Sequence, residues 1–503
     1  MKHYKTTALF FLSLILLSCS KPPEQPEQVI LAQVGDRIIS LDEFIKRAEY
    51  TIRPNYAKGN QYIHNKIVLN SLIAEKLLAI EGGEDNEFAQ SPQFQNYVRG
   101  RREQAMRKWL FRNEGTAKVE LTADELNNAY RWVGRDYEVA YFTVPTKAHA
   151  DSITSLLNDP SFTFEDAFEA ISGEGQVPTR EVTWQRDGND AIIDAMYSDS
   201  LEVGQVIGPI KINENAYTAI QILGWTERVA MSNEQIKLRF NDVKERLSQK
   251  KAEKIYTDFV QEVMRGKRLE FDERAFYKVV DIVKPFYVQS AEQKNQMLNA
   301  KFWQEEDTTS IDFEGMARDF EDIKDWPILT IDGETWTVEQ LRDEIGRHPL
   351  VFRNRNLNDR NFPQNFKLAV VDLVRDKYLT EEAYKRGYDK VNVIEQYTNM
   401  FKDQALALVH QSEYLRAQGC ELNFNKQYPV VIERYLKPYI DSLQTKYSDQ
   451  IAIDMDIFEQ IELTRIDMFV MEKNVPYPVA VPSFPILTDD TRLDYGRVME
   501  KDE

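Results

Sequence analysis

The chain has 503 residues, 42% hydrophobic and 29% charged, a composition that fits several globular cores and excludes a disordered chain. Its net charge of −19 excludes a general nucleic-acid binder, which needs a basic face to displace counterions from phosphates.

The chain opens with basic MKHYK and a greasy run, ALFFLSLILLS. That run falls short of the ~20 residues that span a bilayer, and it reads as an export signal. It ends in Leu16, Leu17, Ser18 and Cys19, which resemble a bacterial lipobox. The expectation is a signal at 1–18 and a lipid on the Cys19 thiol. SKPPEQPEQ follows, so 19–28 reads as a Pro-rich polar tether that does not pack. Ser20 after the cysteine favours the outer membrane under a sorting rule known in some bacteria. The expected location is the periplasmic side of the envelope, lipid-anchored. Cys420 is then the single unlipidated thiol, so no disulfide forms within the chain; it reads as a small filler near a helix end.

VGDRIISLDEF at 34–44 opens residues 29–134 as a hairpin leading into a helix, with Ser40-x-x-Glu43 as a capping box. KIVLNSLIAEKLL at 66–78 places Leu69, Leu72, Ile73 and Leu77 on one helix face. RGRR at 99–102 lies in a helical pattern and reads as a solvated face. The whole arrangement recurs. IDGETWTVEQL at 331–341 repeats the hairpin, with Thr337-x-x-Gln340 as its capping box. KLAVVDLVRDKYL at 367–379 repeats the core helix through Val370, Leu373, Val374 and Tyr378. DFVQEVMRGKRLEFDERAF at 258–276 matches PYIDSLQTKYSDQIAIDMDIF at 438–458, each a helix, a short strand and an apolar helix start. The chain thus reads as one module at 29–285 and another at 327–470. Within the first, 228–285 is the closing half, and 286–326 connects the two modules. The second has halves at 327–415 and 428–470. A Pro-rich extended tail at 471–503 lies across another surface.

The first module holds an insert at 135–227 that the second lacks. It runs YEVAYFTV, TKAHADSITSLLN, FTFEDAFEAIS, TREVTW, DAIIDAMYS and then SLEVGQVIGPIKINENAYTAIQIL. That last stretch resembles the end of a parvulin-type peptidyl-prolyl isomerase domain, which typically carries an L-x-x-G-x-x-x-G-P-[VI] phrase. VGDRIISLDEF with its helices resembles the chaperone region of SurA-type periplasmic isomerases.

The resemblance implies an α+β, mainly helical fold: two SurA-like chaperone modules, the first carrying a parvulin-like insert of βαααβαββ type. Such a domain grips proline in an apolar pocket and eases a rotation whose barrier is ~18–20 kcal/mol. It usually does so around two histidines. Here their positions correspond to Tyr141 and Thr218, and the pocket positions to Ile193 and Tyr197. A Gly-Gly-Asp-Leu-Gly phrase common in active members is replaced by GEGQVPTREVTW. Of the five histidines only His149 falls in the insert, on a helix where a solvated place is expected. No catalytic residue is therefore assigned, and Tyr141, Ile193, Tyr197 and Thr218 stand as substrate-binding candidates. No cofactor or metal is implied. Acidic runs EGGEDNE at 81–87 and DFEDIKD at 319–325 lack calcium-loop spacing and read as solvated surface.

The expected function is a membrane-tethered chaperone for unfolded exported polypeptides such as outer-membrane proteins, with weak or lost isomerase activity. The partners are those clients and the membrane, not nucleic acid. Two alternatives stand beside it. One is an active isomerase with Tyr141 supplying a hydroxyl. The other is a structural lipoprotein subunit of an envelope complex.

Overall fold

The computed structural model describes residues 25–58, 61–173, 175–213, 216–289, 313–354, 356–464 and 468–499. The expected signal at 1–18 and the lipidation site Cys19 lie outside the described residues. The fold is α+β and mainly helical. Two compact units divide it: one from the chain up to Leu110 and from Val260 onward, the other from Phe111–Phe259.

The first unit opens with a hairpin of β1 (Ile30–Val34) and β2 (Arg37–Ser40), turned at Gly35 with φ +62. Ser40 caps α1 (Leu41–Glu49) by accepting from the Glu43 amide at 3.0 Å. The expected return bond of the capping box is absent, because the Glu43 carboxylate turns inward to accept from Lys76 at 3.0 Å. In α2 (Gln61–Gly82), Leu69, Leu72, Ile73 and Leu77 are buried as expected, but so is every other residue from Ile67 to Ala79, Asn70, Ser71, Glu75 and Lys76 included, so the helix is buried all round rather than on one face. A short α3 (Glu87–Gln90) leads into α4 (Pro92–Glu114). Here the expectation of a solvated RGRR holds for Arg99, which is exposed, and fails for Arg101, which is only 6% exposed. Its guanidinium lies 3.6 Å over the Phe401 ring and donates to the Val479 carbonyl at 3.0 Å. A later segment of chain covers that helix face, and the arginine is buried among the rings of Tyr97, Phe401 and Tyr477.

The second unit contains α5 (Ala123–Trp132), β3 (Arg135–Val144), α6 (Lys147–Leu157), α7 (Phe164–Ser172), β4 (Thr179–Thr183), α8 (Asp190–Tyr197), β5 (Val206–Asn213), β6 (Ala216–Glu227) and most of α9 (Asn233–Val263). Its antiparallel sheet has the order β4-β3-β6-β5. Alternation along β3 sends Ala140, Phe142 and Val144 to one face, where Ala150 and Ile153 of α6 and Phe164 of α7 cover them. Val139 faces the other way, joined there by Ile220 and Ile222 of β6 and covered by α8. Two helices separate β3 from β4, where the resemblance implied three. The stretch between Leu157 and Phe164 is a turn closed by the Phe162 amide on the Asp159 carbonyl, so no third helix forms there.

The chain then returns to the first unit with β7 (Leu269–Phe271), α10 (Glu273–Tyr287), α11 (Phe313–Glu321) and a second hairpin, β8 (Pro327–Ile331) and β9 (Glu334–Thr337). Asp332 at φ +50 and Gly333 at φ +83 make its turn, the left-handed pair that a two-residue hairpin favours. The capping box at Thr337 does close, with Gln340 and Thr337 exchanging both bonds. Then follow α12 (Val338–Arg347), α13 (Phe362–Lys385), α14 (Asn392–Ala417), α15 (Phe424–Val431), α16 (Lys437–Lys446), β10 (Ile451–Ile453), α17 (Met455–Glu459) and β11 (Arg497–Val498).

Strand pairing crosses between the two sequence repeats. β1 pairs with β10, Ala32 opposite Ile453, and β7 pairs with β8, Phe271 opposite Leu329. Each hairpin is thus completed by the closing strand of the other repeat. Two cores result. One gathers Leu31, Phe44, Leu72, Ile440 and Phe458 from the two ends of the chain. The other gathers Phe276, Val280, Trp336, Phe366 and Val370 from its middle. The described end of the tether also packs: Asn392 donates through its amide N–H to Gln25 at 2.8 Å and through its side chain to the Pro26 carbonyl at 2.9 Å. Among the described residues no helix is long and apolar enough to cross a membrane.

Candidate functional site

The first unit carries a groove of about 720 Å³. One wall is α14, which presents Phe401, Gln404, Ala407, Leu408 and Gln411 at helical spacing. The other is the extended segment Val479–Leu487. Ile52, Leu408 and Phe469 line the groove while 69%, 44% and 61% exposed. Apolar side chains held open together in a concave site favour an apolar ligand.

Beneath the groove lies a buried ion network. Arg47 donates to both carboxylate oxygens of Glu75 at 2.8 Å, and Glu75 itself lines the groove. Lys76 donates to Glu43 and to Asp403, each at 3.0 Å, and Arg37 reaches Asp403 at 3.1 Å. Burial pushes the Glu43 carboxyl up, with Lys76 and Arg47 opposing. Burial works against the Lys76 ammonium, but Glu43 and Asp403 outweigh it and hold its pKa above the usual lysine value. The network fastens α14 to α1 and α2 and so sets the groove wall.

The C-terminal segment is held through its backbone by side chains from these helices. Gln104 donates to the Tyr477 carbonyl and accepts from the Tyr477 amide, both at 2.9 Å. Arg47 donates to the Ser483 carbonyl at 2.9 Å. Asn70 donates to the carbonyls of Asp490 and Arg492 at 2.8 and 2.9 Å, and Asn65 to that of Ile461 at 2.9 Å. Gly100 is required where α4 meets this segment: a Cβ there would sit 2.1 Å from the Arg347 carbonyl and 2.5 Å from the Tyr477 hydroxyl.

No family model matches the chain, and no curated protein matches it.

The insert places its four candidates as follows. Tyr141 and Thr218 share one face of the sheet, since Tyr141 lies opposite Ile220 and Thr143 opposite Thr218. Thr218 is 2% exposed, and its hydroxyl meets that of Thr143 at 2.9 Å. The Tyr141 ring lies 5.2 Å beneath the Arg180 guanidinium, which pairs with Asp187 at 2.8 Å. Ile193 and Tyr197 are 1% and 2% exposed, inside the core between α8 and the sheet. The Tyr197 hydroxyl donates to the carbonyls of Arg135 at 2.8 Å and Val182 at 3.2 Å, and burial pushes its pKa up. All four thus lie on the α8 side of the sheet, with Tyr141 at the margin of the cluster that buries Ile193 and Tyr197. In the SLEVGQVIGPI phrase, Gly208 has φ +91, and a Cβ would lie 2.8 Å from the Thr218 carbonyl, so β5 approaches β6 only with glycine there. His149 is exposed and meets the Thr146 hydroxyl at 2.6 Å. Among the described residues no cluster of His, Cys, Asp or Glu is placed to hold a metal ion.

The groove residues carried little signal in the sequence. The α14 face shows helical spacing, but so does any core helix. Arg47, Asn65, Asn70 and Gln104 are polar residues, and nothing local marks them as partners of a distant extended segment.

Proposed function

We propose that the chain is an exported, lipid-tethered chaperone that holds unfolded polypeptides, in the manner of SurA-type proteins, with a parvulin-like insert whose isomerase activity is weak or lost. The observation that carries this reading is the groove of about 720 Å³ with Ile52, Leu408 and Phe469 exposed in it. An unfolded chain offers apolar side chains for such a surface and backbone groups that need partners. The groove is flanked by side chains that already satisfy an extended backbone, Gln104 and Arg101 among them. Outer-membrane barrels in transit are suitable clients, since their strands alternate apolar residues.

The insert supports a reduced catalytic role. Its first- and last-strand positions carry Tyr141 and Thr218, and the Thr218 hydroxyl is engaged with Thr143. The test uses residues 20–503. Suppression of aggregation of an unfolded outer-membrane barrel is measured beside isomerisation of a short X-Pro peptide. Holding that is lost in Leu408→Asp with Phe469→Asp, and little isomerisation, is the expected result. Isomerisation that falls in Tyr141→Ala with Thr218→Ala would restore the enzyme reading. Neither activity in folded protein would favour a structural subunit.

A further inference from the structure

The segment that walls the groove has a pattern of its own. Val481, Pro482, Phe484, Pro485, Leu487 and Thr488 are buried, Ser483 and Asp489 are exposed, and Ile486 lies between. Every third residue faces outward. Three residues per turn is the period of a polyproline II helix, which prolines favour. The main chain of this stretch joins no sheet beyond a single bridge, Met471 with Val479. Prolines at 476, 478, 482 and 485 remove the donors that a ladder needs. Side chains of the helices hold it instead. Gln104 pairs with Tyr477 in both directions, Arg101 takes the Val479 carbonyl, and Arg47 takes the Ser483 carbonyl.

Each of these bonds is to the backbone, so the same side chains would serve any extended chain laid along the helices. Specificity then falls to the two buried residues in each turn. They ask for small apolar residues, an aromatic ring and proline.

We propose that residues 474–487 are a built-in ligand of the groove, a strap that occupies a track for proline-containing, apolar, extended polypeptide and that a client displaces. The inference rests on the proposed holding function and names the class of segment that is held. The strap is suited to release. Its hold is two backbone bonds at that bridge, Glu472 to the Pro478 carbonyl and Ala480 to the Val470 carbonyl, with a few side-chain bonds and apolar contacts, and no continuous ladder must break. Its prolines limit the entropy gained on release, so it returns readily. The open groove runs beside Val479–Leu487, giving a client a place to begin.

The test uses residues 20–503 and a labelled peptide of sequence NVPYPVAVPSFPIL. Phe484→Asp places a charge in the strap's buried row. It is expected to loosen the strap and tighten peptide binding about tenfold, as a higher fraction of competent sites requires. A peptide with the same change is expected not to bind. Failure of the wild-type peptide to bind a folded Phe484→Asp protein overturns the proposal. A second measurement needs no variant: protease cleavage within 474–487 of the wild-type chain, with and without saturating unfolded barrel. Faster cleavage with client bound supports displacement. Unchanged protection with client bound overturns the strap and leaves the holding function standing. No client binding at all defeats both.

Discussion

The Lys76 ammonium donates to Asp403 at 3.0 Å with both side chains buried, which joins α2 to α14 across 327 residues of chain. Glu43 takes a second bond from the same nitrogen. Neither acid can be left alone, because a buried unpaired charge costs far more than an exposed one.

Lys76→Ala is therefore expected to lower stability by about 3–5 kcal/mol, the cost of leaving the buried Glu43 without this partner while Asp403 keeps only Arg37. Urea unfolding of the wild type and the variant measures it. A loss under about 1 kcal/mol would mean that water reaches the site and the network is not sealed.

Gly100→Ala is expected to be destabilising by about 1–3 kcal/mol, because its methyl has no room against the Arg347 carbonyl and the Tyr477 hydroxyl. The hydroxyl donates to that carbonyl at 2.5 Å, so the methyl must part the pair. Protease sensitivity near Tyr477 should rise with the fall in stability. Wild-type stability in the variant would show that α4 shifts freely there.

Acid should weaken the first unit through His348 and Glu103, buried and 2.5 Å apart. Burial lowers the His348 pKa, while the Glu103 hydrogen bond opposes. The folded imidazole stays neutral where the unfolded one takes a proton, so stability falls as pH drops below about 6.5. Burial works to raise the Glu103 pKa, but hydrogen bonds from His348 and Arg99 hold it at about 2. Its contribution is present above its unfolded value of 4.5 and is lost as pH falls toward 2. The melting temperature should decline from pH 7 to 5, and less so in His348→Gln. Equal slopes in both proteins would remove His348 from the account.

Leu408→Asp is expected to leave stability within about 0.5 kcal/mol, since the side chain is largely exposed, while impairing the holding of an unfolded barrel. Unimpaired holding would move the client site elsewhere.

Tyr197→Phe is expected to cost about 1 kcal/mol by freeing the carbonyls of Arg135 and Val182 from their hydroxyl partner. A stability loss with no change in peptide binding would mark Tyr197 as a packing residue. Weaker binding at unchanged stability would return it to the pocket.

Much of the local structure was legible in the sequence. Both hairpins, the Thr337 capping box and the buried faces through Leu72 and Val370 follow from turn chemistry and spacing. The Ser40 box half-failed because Glu43 had a stronger claim on it, from Lys76 across the core. The exchange of closing strands was not legible. IAI and LEF are three-residue strands whose local preferences suit either hairpin, and only packing at long range decides. Arg101 misled for the same reason: its charge looked solvated until a distant segment covered it. In the insert, the resemblance named Tyr141, Thr218, Ile193 and Tyr197 together, but it could not say that Ile193 and Tyr197 are buried between α8 and the sheet.

The exchange of strands also orders events as the chain is made. β1 and β2 are made first, yet their partner β10 follows more than four hundred residues later. The unit Phe111–Phe259 and the core around Phe366 are each made from nearly contiguous chain and can close as they emerge. The core around Leu31 and Phe44 must wait, its hairpin unpaired, until the last part of the chain arrives to finish it. The part of the molecule that is made first is thus the last to become whole.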